Sequence, residues 1–131
     1  MRSPDGGAPE SMAAMAQSVL IVDDHAPFRA RARTMLEDDG FCVVGEAADG
    51  EEAVAAALRL RPEIVLLDIQ LPDLDGFAVA ERLADEPDPP AVVLISSRSI
   101  GAYRQRLKVS PVRGFIAKSE FSGECLLALL D

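Results

Sequence analysis

The chain has 131 residues, 49% of them apolar, with 22 acidic against 13 basic side chains and a formal charge of −9. That length suits one domain with one sizeable core. No apolar run nears the roughly 20 residues of a membrane span, and no apolar stretch follows Arg2 to act as a signal sequence; a soluble, cytoplasmic protein is expected. The acid excess argues against a nucleic-acid-binding surface, which needs clustered Lys and Arg. Cys42 and Cys125 lie far apart without metal-ligand or CxxC spacing, so both are expected to be buried free thiols.

In chain order, residues 1–17, "MRSPDGGAPESMAAMAQ", have no sustained apolar period and read as a disordered leader. Residues 18–131 form the domain. They alternate short apolar runs with helical segments. The runs are "VLIV" (19–22), "FCVVG" (41–45), "IVLLD" (64–68), "AVVLIS" (91–96) and "GFIAK" (114–118).

The first helical segment, from about Pro27, places Phe28, Ala32, Met35 and Leu36 on one face. The alternating arginines Arg29, Arg31 and Arg33 point elsewhere, and Gly40 ends the segment. The second turns Ala53, Val54, Ala57 and Leu58 inward, with acids at its start and arginines at its end as the helix dipole favours; Pro62 stops it. Phe77, Ala80, Leu83 and Ala84 mark the third, with Asp75 or Asp73 as its cap. The fourth, around Ile100–Val109, is the least amphipathic, and the fifth runs from Glu120 to Leu130. Strands apolar on both faces and joined by helices imply a parallel sheet covered on both sides. The expected fold is therefore a three-layer α/β/α domain with a five-stranded sheet.

In such sheets ligands sit beyond the carboxyl ends of the strands. Asp23 and Asp24 end the first strand, Asp68 the third, Ser96 the fourth and Lys118 the fifth, so all five gather on one edge. Carboxylates crowded there repel by about 4 kcal/mol per pair at 4 Å and an effective dielectric near 20. A hard divalent cation such as Mg²⁺ removes that cost and leaves room for phosphate oxygens. With a lysine and a hydroxyl alongside, the set suits phosphoryl transfer to a carboxylate.

The acid pair, "LLDIQLPDLDG" around Asp68, Ser96 followed by Ser97, and Phe115 three residues before Lys118 resemble a response regulator receiver domain of two-component signalling. "VDDH" and "DLDGF" resemble the branch often joined to helix-turn-helix output domains. The resemblance implies a flavodoxin-like strand order, 2-1-3-4-5. It implies that Asp68 is the phosphoacceptor for a sensor histidine kinase. It further implies that Asp24, Asp68 and the Gln70 backbone carbonyl ligate Mg²⁺, with Asp23 acting through a water. Lys118 would pair with Asp68, while Ser96 and Phe115 would switch a partner face formed by the fourth helix, fifth strand and fifth helix. Two departures stand out: Ser119 follows Lys118 where the family often has proline, and the switch aromatic lacks a hydroxyl.

Other readings carry different expectations. A phosphorylation-independent adaptor would be expected to lose an acid or the lysine, and a haloacid-dehalogenase-type phosphatase would want an Asp where Gln70 stands. His25 is expected to be a solvated loop residue, and the arginine alternation the exposed side of the first helix. The end of the chain at Asp131 fits a stand-alone receiver, or one cut from a longer DNA-binding regulator. In the apolar last helix, either Leu127 or Leu129 is exposed for a homodimer or partner contact, or the helix is sunk in the core.

Overall fold

The structure, a computed structural model, describes residues 17–130. The leader expectation, apart from Gln17, lies outside them. The elements are β1 (Ser18–Val22), α1 (Ala26–Asp38), β2 (Cys42–Ala47), α2 (Gly50–Leu60), β3 (Ile64–Asp68), α3 (Gly76–Ala84), β4 (Ala91–Ser96), α4 (Arg104–Val109), β5 (Gly114–Ala117) and α5 (Gly123–Leu130). All strand neighbours pair in parallel, in the order β2-β1-β3-β4-β5. The doubly wound α/β expectation holds.

Strand alternation divides the core between the two faces of the sheet. Leu20, Val22, Val65, Leu67, Val92 and Leu94 pack with α2 and α3 on one face. Val19, Ile21, Ile64, Leu66, Val93 and Ile95 pack with α1 and α5 on the other. Each fully buried Val, Leu or Ile contributes about 1.5–3 kcal/mol of transfer free energy. This burial holds β1, β3 and β4 as the rigid centre from which the site projects.

Local chemistry sets the helix ends. Gly40, at φ 94°, takes the left-handed conformation after α1. Asp49 caps α2 by accepting from Glu52 N at 2.8 Å. Arg61, at φ 52°, closes that helix before Pro62. Asp75 caps α3 through Ala78 N at 2.9 Å, which decides between the two aspartates.

Four expectations are corrected. Both cysteines are exposed: Cys42 opens the edge strand β2, and Cys125 lies on the outer side of α5. Leu58 is 46% exposed, because the inward stripe of α2 is Ala53, Ala56 and Ala57 and a residue five places after Ala53 lies about 140° away around the helix. The fifth helix starts at Gly123; residues Lys118–Glu120 make a separate 3-10 turn, and Phe121 plugs the core against Phe28 with ring centroids 5.9 Å apart. Leu127 and Leu129 are half-buried against the α1/α5 half of the core while Cys125 and Ala128 are exposed, so α5 is only partly sunk and neither leucine stands fully exposed.

Candidate functional site

The register of the sheet brings the strand ends level: Val22 pairs with Leu67, Asp68 with Ile95, and Ser96 with Ala117. The residues at or just beyond these ends therefore share one rim. Asp23 is fully buried. Its backbone N donates to Ala47 O at 3.0 Å, its Oδ1 accepts from His25 N at 2.8 Å, and Arg29 reaches its carbonyl at 2.5 Å. Asp24 is exposed beside it. Asp68 is 4% exposed; its Oδ1 accepts from Gln70 N at 3.1 Å.

Lys118 joins the two buried acids. Its Nζ lies 2.6 Å from Asp23 Oδ2 and 3.2 Å from Asp68 Oδ2, and 5.0 Å from the centre of the Phe28 ring. The expected pairing with Asp68 is present, and Asp23 is the nearer partner. Oxygens of Asp23, Asp24 and Asp68 all lie within 4.8 Å of one another, and the one ammonium pairs with two of the three carboxylates. Burial, followed by the neighbouring Asp23 charge, pushes the Asp68 carboxyl above its ordinary range despite the Gln70 N–H and Lys118. Burial works to lower the Lys118 ammonium, but its contacts with Asp23 and Asp68 prevail and raise it. An all-oxygen set of this density fits a hard cation of the Mg²⁺ type better than a soft one.

Ser96 is fully buried. Its hydroxyl accepts from Arg98 N at 3.0 Å and donates to the Tyr103 OH at 3.5 Å. Phe115 is half-buried, its ring 6.3 Å from that of Tyr103. Tyr103 is the chain's single tyrosine and is 8% exposed; its ring also lies 6.0 Å from Phe77. The apolar pattern carried no sign of it, because the segment splits into a 3-10 turn at Ile100–Tyr103 and a six-residue α4 with no buried residue. The available signal was a lone aromatic in a polar stretch, seven residues after Ser96. Arg106 adds a second hold on α4, 2.7 Å from Asp75 Oδ2 and 4.2 Å over the Phe77 ring.

With so few contacts, α4 belongs to the least stable part of the domain. Tyr103→Phe should change stability by less than about 1 kcal/mol, since it removes one long hydrogen bond. Tyr103→Ala should cost about 3–5 kcal/mol through the cavity it opens. Hydrogen exchange should then accelerate first at residues 100–109; uniform acceleration would show that Tyr103 does not anchor α4 in particular.

His25 is exposed, as expected of a loop residue. The arginine alternation divides: Arg31 is exposed, whereas Arg29 and Arg33 bind Glu46 at 2.9 and 2.8 Å. Asp73, considered above as a cap for α3, instead contacts the start of α2.

An open parallel sheet in the order β2-β1-β3-β4-β5, with three carboxylates and a lysine at its carboxyl edge, is a domain of the flavodoxin-like class. The sequence profile of the response regulator receiver domain matches residues 19–130, and the chain belongs to that family. A protein-glutamate methylesterase/protein-glutamine glutaminase of Anaeromyxobacter dehalogenans is 42% identical over 106 residues, covering 80% of this chain and 30% of that protein. The transcriptional regulatory protein PdtaR of Mycobacterium tuberculosis is 38% identical over 89 residues, covering 68% and 43%. The chain thus spans less than half the length of either relative. A solved chain from the CheX–CheY–BeF3–Mg²⁺ complex of Borrelia burgdorferi superposes with a TM-score of 0.76 at 27% identity, covering 88% of this chain and 87% of that one. Among the described residues no helix is long and apolar enough to cross a membrane.

Proposed function

We propose that this domain accepts a phosphoryl group on Asp68 from the phosphohistidine of a cytoplasmic sensor kinase, with Mg²⁺ bound, and so switches a partner-binding face. The observation that carries this reading is the clustering of the Asp68 carboxylate with the Asp23–Asp24 pair and the Lys118 ammonium at the open edge of the sheet. An Asp68 oxygen forms the new bond to phosphorus as the bond from phosphorus to the kinase's histidine nitrogen breaks. The electron pair leaves with the imidazole.

Asp24, Asp68 and the Gln70 carbonyl would hold Mg²⁺, with Asp23 acting through a water. The ion supplies charge neutralisation for the incoming phosphoryl oxygens. Lys118 keeps Asp68 oriented and then faces the added charge. Ser96, now engaged with Arg98 and Tyr103, would turn its hydroxyl to the phosphoryl group, and Phe115 would follow. These movements alter a groove of about 510 Å³ lined by Ile100, Phe115, Cys125, Ala128 and Leu129. This groove is the surface that would engage the downstream protein. A charge added at one point and read out through a weakly held element is a two-state switch.

Acetyl phosphate with Mg²⁺ tests the reading. Intact mass should show one phosphoryl adduct on the wild type and none on Asp68→Asn or without metal. No adduct, together with no response to beryllofluoride, would leave the domain as a phosphorylation-independent adaptor.

A further inference from the structure

We propose that Asp73 is a positioning residue for the phosphoryl site, tying the loop between β3 and α3 to the first turn of α2 and so fixing where Gln70 presents its carbonyl. The inference rests on the metal site proposed above and adds a residue to its support.

Asp73 Oδ1 accepts from Gly50 N at 2.7 Å and Oδ2 from Glu51 N at 2.9 Å, across more than twenty residues of sequence. Oδ1 also accepts from Leu74 N at 2.8 Å. The Gly50 and Glu51 N–H donors hold the carboxyl below its usual range, in keeping with a paired anion. Helix α2 already has its own cap in Asp49. Asp73 takes the two N–H groups that Asp49 leaves and so joins the loop to the helix start.

The loop is closed on itself, with Gly76 N donating to Ile69 O at 2.7 Å and Gln70 bridging to Asp75. A closed loop moves as a unit. It is fixed to the sheet at its root, where the buried Ile69 donates its N–H to Ile95 O at 3.0 Å, runs into the packed start of α3 at Gly76, and is tied on its far side to α2 by Asp73. The second anchor is fitted closely: a Cβ on Gly50 would lie 2.8 Å from Leu74 Cβ, so the loop and the helix start interlock where Asp73 binds. Without Asp73 the loop beyond the sheet-bonded Ile69 loses its tie to α2, and Gln70, the first residue past that bond, loses a constraint on where its carbonyl points.

The test compares wild type, Asp73→Ala, Asp73→Asn and Asp49→Ala as full chains. Mg²⁺ dissociation constants come from calorimetric titration, and fold stability from thermal unfolding. Asp49→Ala removes the local cap of the same helix without touching the loop, so a purely structural role predicts equal behaviour for the two alanine variants.

Asp73→Ala should weaken Mg²⁺ binding at least threefold and up to about tenfold, at or below the low end for direct partners of metal ligands, since Asp73 acts one step further out. Asp73→Asn, which keeps one acceptor oxygen, should recover part of the loss. Asp49→Ala should lower the Tm by a similar amount while leaving the Mg²⁺ constant within twofold. A change below threefold for Asp73→Ala, or an equal loss for Asp49→Ala, overturns the proposal. A wild type that takes up no Mg²⁺ overturns the metal-site reading, and this inference with it.

Discussion

Lys118→Met is expected to cost about 3 kcal/mol of stability in metal-free buffer, the low end for removing one partner of a buried ion pair. Methionine keeps most of the aliphatic volume, so the change isolates the charge. Asp23 and Asp68 are 0% and 4% exposed, and their ammonium partner lies within 3.2 Å of both. Removing it leaves two buried carboxylates facing each other with Asp24 adjacent. For a domain with a total stability of about 5–15 kcal/mol, this is a large fraction. Mg²⁺ should return much of it, since a ligand at 100 times its dissociation constant adds about 2.7 kcal/mol to the native state.

The pH dependence has a definite sign. Lys118 is raised in the folded state above its ordinary value of 10.5, so its contribution is complete below that value. It is lost as pH climbs through the raised one. The difference between wild type and variant should therefore be level from neutral pH to about 9 and shrink above about 10.5. Urea unfolding at several pH values, with and without Mg²⁺, measures both effects. A variant as stable as wild type without metal would mean that the site carboxylates are not charged together.

The parts of this molecule that could be read from sequence are those governed by local period and strand ends. β3 and β4 match their apolar runs because both faces are buried, and the acids, serine and lysine fall at the rim because strand termini place them there. The α2 stripe was less legible. Its buried alanines carry a weak apolar signal beside the larger Leu58, which lies on the outer side. The exposure of the cysteines is not legible in the sequence, because apolar character says little about which side of an edge strand or terminal helix is covered. Tyr103 and Asp73 were hidden for a different reason. One acts from a segment without amphipathic period, and the other caps a helix more than twenty residues away, beyond the three-residue reach of ordinary capping rules.

Gly76→Ala should be damaging, because among the described glycines Gly76 makes the tightest approach to backbone. Gly76 is not at positive φ, so the constraint is space: a Cβ there would lie 2.5 Å from Asp68 O, 2.8 Å from Ile69 Cα and 3.1 Å from Asp68 C. These are backbone atoms, which cannot rotate aside. Either the start of α3 retreats, weakening the Gly76 N–Ile69 O bond, or Asp68, the proposed phosphoacceptor, is displaced. Overpacking of this kind costs about 1–3 kcal/mol, and a shift of about 1 Å in a reacting group can reduce rate on the order of a hundredfold. Both the urea midpoint and the rate of phosphorylation by acetyl phosphate should fall. Gly101→Ala is the control, because its Cβ would meet nothing nearer than Ser99 Oγ at 3.8 Å and should change stability by less than about 0.5 kcal/mol. Equal behaviour of the two variants would mean that the loop yields freely around Gly76 and that the placement of Asp68 does not depend on this close approach.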